Sequence, residues 1–156
     1  MGILIQGGRV VDAASQMDKI ADVYLDGCVI QEIGEKLKVK DKDDRIIDAR
    51  GMVVMPGLVD LHVHFRDPGQ TEKEDIESGS KAAARGGVTT VVAMPNTTPV
   101  IDCPDRANYV KNKAAQVSPI HVLQAGAMTK GELGCELSDI AGMAAAGVPV
   151  LSEDGK

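Results

Sequence analysis

His62 and His64 are separated by one residue, with Asp60 two positions before them and Arg66 two positions after. Val59, Leu61, Val63 and Phe65 fill the places between. Strict alternation of apolar and polar residues is the period of a β-strand. Residues on one face of a strand lie about 6.6 Å apart, at about 3.3 Å per residue, so two imidazoles at this spacing can lean onto one metal ion. Pro68-Gly69 ends the run and places the polar groups at the C-terminal end of the strand. A histidine in a strand is more often a packed or surface residue than a ligand, and a short motif carries that risk. From spacing alone, metal binding and a structural role stand side by side.

The chain around this stretch has 156 residues, enough for one domain or a domain with part of another. It has no Trp, so Ala, Val, Ile, Leu and Met must fill its core. A net charge of -6 argues against a nucleic-acid surface, which needs clustered Lys and Arg. No apolar run is long enough for a membrane span, and the N-terminus lacks the basic start of a signal peptide. Cys28, Cys103 and Cys135 are widely spaced and form no C-x-x-C pair, which reads as reduced cytoplasmic thiols.

Residues 1–55 read as short β-strands, with Asp26-Gly27 as a two-residue hairpin loop whose central residues take positive φ. Lys36 to Arg45 reads as a solvated polar loop. So thin a layer should need a partner surface for its second face. From residue 56 the pattern changes to strand–helix alternation. Thr71 with Glu74 predicts a capping box, and Ile76, Gly79 and Ala83 predict a helix face of small residues ended by Gly86-Gly87. Thr89 to Met94 predicts a buried strand, Pro104 the first turn of a second helix, and Ile120 to Ala125 a third strand. Ser138 and Gly147 bracket a third helix, and Val148 to Leu151 predicts a fourth strand in spite of Pro149. Four strands with three helices imply a parallel sheet with right-handed crossovers. A closed β/α barrel needs eight such units in about 250 residues. Residues 56–156 are therefore an open α/β sheet or the N-terminal half of a barrel.

In either fold the ligand site lies at the C-terminal ends of the strands. His62, His64 and Arg66 lie there on the first strand, Asn96 after the second, and Glu153 and Asp154 after the fourth. Two imidazoles and a carboxylate suit Zn²⁺, and a guanidinium suits a substrate carboxylate. His121 opens its strand and belongs to the opposite end, as a packing or capping residue. Asp60 reads either as a partner for a His or as a buried structural carboxylate.

The run Asp60 to Gly69 resembles the first-strand motif of dihydroorotases, in the amidohydrolase superfamily. The similarity continues through Ala82 to Thr90, Ala93 to Pro99 and Ser152 to Gly155. His-x-His alone would suggest only an amidohydrolase; Arg66, Pro68-Gly69 and Met94 to Thr97 narrow it. The resemblance implies an α/β fold: the N-terminal half of a (β/α)8 TIM-type barrel over 56–156, preceded at 1–55 by a small β-sandwich segment that C-terminal strands complete. It implies reversible cyclisation of N-carbamoyl-L-aspartate to dihydroorotate in pyrimidine synthesis, with one or two Zn²⁺ ions activating water and polarising the ring amide. By position His62, His64 and Asp154 would be metal ligands, Asp154 standing where other members use a carboxylated lysine, with Lys156 the alternative. Arg66 and Asn96 would hold the substrate carboxylate.

The same resemblance implies that further His ligands and the general base come from strands beyond Lys156, so the 156 residues are expected to be incomplete for catalysis. A homo-oligomer and association with aspartate carbamoyltransferase are expectations of the same kind. Two other readings stand beside this one: a non-catalytic fragment or assembly subunit, and a different cyclic-amide hydrolase of the allantoinase or dihydropyrimidinase type.

Overall fold

The bulge in the first strand shows how local chemistry builds the N-terminal layer. In the computed structural model, which describes residues 1–155, strand β1 (Gly2–Asp12) pairs antiparallel with β2 (Met17–Asp26), and its register slips between Ile5 and Gly8. Gly7 takes φ +71° there, and its freed N–H donates to Asp22 Oδ1 at 2.7 Å. The other oxygen of Asp22 accepts Leu37 N–H at 2.9 Å, so this buried carboxylate is satisfied by backbone donors.

Strand β3 (Val29–Gly34) follows antiparallel to β2, while β4 (Arg45–Asp48) and β5 (Val53–Val54) both run parallel to β1. The result is one sheet of five strands, in the order β3-β2-β1-β4 with β5 also on β1. The hairpin between β2 and β3 lies one residue later than predicted. Its loop is Gly27-Cys28, and Gly27 alone has positive φ, at the first central position that a II′ turn gives to glycine. Val10, Ala21 and Val23 are buried on one face with Ile5, Leu25 and Val54 around them. Met1–Pro56 form one compact unit, and the residues from Gly57 onward form a second.

In the second unit β6 (Leu58–Val63), β7 (Val88–Ala93) and β8 (His121–Gln124) form a parallel sheet in sequence order. Helices α1 (Ile76–Arg85) and α2 (Pro104–Val117) are the crossovers. Ile76, Val91, Ala93, Ile101, Ala107, Val110 and Ala114 form the core between helices and sheet, joined by Phe65. Gly79 is required at that contact: a Cβ there would lie 2.5 Å from Phe65 Cδ1. The predicted small-residue face of α1 is thus the seat of the Phe65 ring.

Three predicted boundaries move. Helix α1 is capped by Asp75, not Thr71: Asp75 Oδ1 accepts Ser78 N–H at 2.7 Å, and Ser78 Oγ returns to Asp75 N–H. Two capping boxes compete in the sequence, and the charged one, which also complements the helix dipole, prevails. Helix α3 (Ile140–Ala145) is capped by Asp139, whose Oδ1 accepts Gly142 N–H at 2.9 Å, while the Ser138 hydroxyl points to Ala127 C=O at 2.6 Å; Gly147 lies just past the C-cap Ala146. The predicted fourth strand shrinks to a bridge between Leu151 and Gly126. The bridge consists of two bonds: the Val150 C=O and the Ser152 N–H reach Gly126, at 3.0 and 2.9 Å.

The segment after β6 is fixed by a buried carboxylate. Asp67 has a fully buried side chain; Lys113 Nζ lies 2.6 Å from Oδ2, and Tyr109 Oη donates to Oδ1 at 3.0 Å. Tyr109 and Lys113 stand one turn apart on α2. The pairing with Asp67 holds the lysine pKa above its ordinary value. Pro68 C=O accepts Thr98 N–H at 3.1 Å, and Gly69, at φ +90°, packs so close to Thr98 that a Cβ would overlap its carbonyl.

Two outcomes follow from these contacts. Replacing Lys113 with Met leaves the Asp67 charge buried with only a hydroxyl, and is expected to cost about 3 kcal/mol, the low end for broken buried pairs because the lysine is one-third exposed. A urea midpoint equal to wild type in the full chain would rule this out. In the first unit Asp44 accepts N–H groups of Asp41, Gly2 and Lys40 and the Tyr24 hydroxyl. The Asp41 N–H, then Tyr24, hold its carboxyl down to about 2. Its unfolded value is about 3.9, so its stabilisation is complete above that pH and lost as pH falls toward about 2. Asp44→Asn should lower the thermal midpoint at neutral pH and flatten its fall across that acid window; an unchanged pH profile would contradict the assignment.

Candidate metal centre

Strand β6 ends at Val63, earlier than the alternating pattern predicts. His62 is on the strand, His64 just past it, and Arg66 sits at φ +57° in the left-handed region. The reason is tertiary. Burial of Phe65 against Gly79 and of Asp67 against α2 pulls the chain out of the ladder, so Arg66 does not share a strand face with the histidines. Its carbonyl accepts Gln70 N–H at 2.9 Å, and its half-exposed guanidinium has no ion-pair partner among the described residues.

His62, His64 and Asp154 come together. Asp154 Oδ1 lies 3.1 Å from His62 Nε2 and 3.7 Å from His64 Nε2. One ligand atom from each of the three residues lies within 4.8 Å of the others, and no other such group of three His, Cys, Asp or Glu occurs among the described residues. The two rings are 5.1 Å apart and nearly perpendicular. The Asp154 side chain is 11% exposed and that of His62 58%, so the cluster is open on the His62 side. Asp154 itself has φ +49°, and its N–H donates to Ser152 Oγ at 3.0 Å.

Asn96 links two members of this cluster. Its amide nitrogen donates to Asp154 Oδ2, and its Oδ1 lies 3.0 Å from His64 Nδ1. An ionised carboxylate only accepts, so the amide must turn its NH₂ toward Asp154 and its oxygen toward His64. That oxygen also only accepts, so His64 carries its proton on Nδ1. The lone pair is then on Nε2, the nitrogen that faces Asp154. The arrangement is what a metal-binding imidazole needs: one nitrogen oriented by an acceptor, the other free to ligate.

The remaining predicted residues fall elsewhere. Asp60 is exposed rather than buried, and its Oδ1 accepts His62 N–H at 3.1 Å, so it shapes the strand at His62. His121 opens β8 and is exposed, outside the cluster. Glu153 turns to Thr129. Lys156 lies outside the described residues. Sequence reasoning missed Asp67, Tyr109, Lys113 and Thr129, because an ion pair across 46 positions leaves no local pattern.

Two imidazole Nε2 atoms and a carboxylate oxygen are a mixed N/O donor set of the kind that Zn²⁺ accepts, and the fixed tautomer of His64 fits such an ion. Residues 51–156 match the family described as dihydro-orotase-like. Dihydroorotase of Clostridioides difficile (strain 630) is 54% identical over 153 residues, covering 98% of this chain and 36% of that protein. Dihydroorotase of Aquifex aeolicus (strain VF5) is 41% identical, with the same coverage. The chain thus spans about a third of the length of the curated relatives that it matches. Among solved structures, L-hydantoinase (dihydropyrimidinase) from Arthrobacter aurescens is similar with TM-score 0.71 and 29% identity, over 81% of this chain and 28% of that one. D-hydantoinase from a Thermus species gives 0.68 and 32%, with the same coverage. A donor cluster at the C-terminal ends of parallel strands and a family match over two-thirds of the sequence agree: the chain belongs to the dihydro-orotase-like family.

Proposed function

We propose that these residues are the N-terminal part of a zinc-dependent dihydroorotase, which interconverts N-carbamoyl-L-aspartate and dihydroorotate. The carrying observation is the convergence of His62 Nε2, His64 Nε2 and Asp154 Oδ1 in a chain of this family. On this reading the parallel strands β6 to β8 begin a (β/α)8 barrel, and the five-stranded sheet is one part of a β-sandwich. The remaining ligands and the proton acceptor would come from the length of the relatives that this chain does not span.

His62, His64 and Asp154 would hold the metal. When bound it would supply Lewis acidity at the ring amide carbonyl and a water activated near neutral pH. The chain's own residues prepare that site. Asn96 keeps the His64 lone pair on Nε2. Its amide nitrogen spends one hydrogen on Asp154 and keeps a second for a substrate carboxylate oxygen. Arg66 offers that carboxylate a planar two-pronged donor. Its left-handed backbone, set by the Asp67 clamp, fixes where the fork starts.

A second reading is a hydantoin-type hydrolase, favoured by the hydantoinases among the similar solved structures. The two differ in their need for a carboxylate-binding group. The protein should turn over dihydroorotate or N-carbamoyl-L-aspartate and leave hydantoin untouched; the reverse preference would transfer the assignment. Arg66→Lys keeps the charge but loses the fork. It should lower kcat/KM for dihydroorotate at least ten-fold, about 1.5–3 kcal/mol, with zinc content unchanged. Wild-type kinetics in that variant would remove Arg66 from the site. Replacing both His62 and His64 with Ala should abolish zinc retention through dialysis, and one zinc per chain in the double variant would refute the ligand assignment.

A further inference from the structure

The run Ser152-Glu153-Asp154-Gly155 offers two adjacent carboxylates, and residue type does not say which of them serves a metal. The structure separates them. Asp154 faces His62, His64 and Asn96. Glu153 faces the loop after β8. Its Oε1 accepts Thr129 N–H at 2.5 Å, and its Oε2 accepts the Thr129 hydroxyl at 3.1 Å. That hydroxyl in turn accepts Gly134 N–H at 3.0 Å, so its hydrogen is committed to Glu153.

The rest of the loop is a rigid anchor. Lys130 N–H reaches Glu136 C=O at 2.8 Å and Ser138 N–H reaches Met128 C=O at 3.0 Å. Gly131 N–H donates to Asp102 Oδ2 at 2.9 Å. Asp154 meets Asn96 and the two histidines through its side chain, and its N–H donates to Ser152 Oγ at 3.0 Å. Its backbone is left-handed at φ +49°, a conformation that a non-glycine residue keeps only where its surroundings over-determine it. Upstream, Leu151 is held by an isolated bridge to Gly126. The two-pronged grip of Glu153 on Thr129 is the contact next in sequence to the strained residue.

We propose that Glu153 is a positioning residue, which ties Asp154 to the Thr129 loop and so presents the Asp154 carboxylate to the metal, and that Glu153 does not ligate. The proposal rests on the reading of His62, His64 and Asp154 as metal ligands. Partners of this kind, one step removed from the ion, commonly change metal affinity 10- to 100-fold.

The test is zinc affinity by competition with a chromophoric chelator, with the absorption spectrum of the Co²⁺-substituted full chain beside it. Glu153→Ala should weaken zinc binding at least ten-fold, yet give the wild-type cobalt spectrum at saturation, because the ligands are the same once the ion is bound. Thr129→Val should weaken binding several-fold, and Thr129→Ser should restore it, since serine keeps the hydroxyl. Far-UV circular dichroism of the metal-free variants checks the fold. If Glu153→Ala fails that check, the Val and Ser pair decides. Wild-type zinc affinity in Glu153→Ala and Thr129→Val would overturn the proposal by making the contact purely structural. A changed cobalt spectrum at saturation would overturn it by making Glu153 a ligand. If the unmutated chain binds no zinc, or binds it equally without His62 and His64, the underlying metal reading fails instead, and the proposal with it.

Discussion

A carboxylate removed from water has to be paired, and at Asp67 that requirement shapes the segment that follows β6. Lys113 and Tyr109 hold its two oxygens, and both come from one face of α2. The pairing fastens the end of β6 to a helix that arrives only after the second strand. Phe65, two residues earlier, is seated on Gly79 of α1. Between these two attachments the chain cannot continue as a strand. His64 is therefore delivered at the strand mouth and Arg66 is turned into a left-handed conformation.

The cluster above this frame is bound together by one amide. Asn96 touches a histidine just past the end of β6 and a carboxylate from a segment 58 residues further on. Because Asp154 can only accept, the direction of every proton in the chain Asp154–Asn96–His64 follows from its charge. In the neutral ring the His64 proton therefore stands on Nδ1, toward Asn96. Among the described residues the His62 ring meets Asp154 through Nε2 but has no amide partner like Asn96, and His62 is the more exposed of the two.

Backbone economy explains where the supports are concentrated. N–H groups freed by bulges and turns are taken by carboxylates: Asp22 at Gly7, Asp44 at Asp41, Asp102 at Gly131 and Glu153 at Thr129. Much of the acidic excess is therefore employed in holding loops, and the net charge is not by itself a signal of a cationic partner. Among the described residues no helix is long and apolar enough to cross a membrane.

Much of the second unit was legible in the sequence, because strand–helix alternation, Pro104 and the Gly86-Gly87 stop are local signals. The histidine pair was legible for the same reason: two residues on one short strand need no partner to be seen together. Boundaries were not, where two local solutions compete and packing chooses, as with Thr71 against Asp75 for the cap of α1 and Ser138 against Asp139 for α3. The fourth strand was overestimated because apolar composition suggests a strand, while only Leu151 is bridged to a neighbour, Gly126. Residue type placed Glu153 and Asp154 side by side, and only the family resemblance singled out Asp154; the same resemblance implied a substrate role for Asn96 without its contacts to His64 and Asp154. Those distinctions depend on which side chains meet across 24 to 58 positions, and only the folded chain brings them within hydrogen-bond reach.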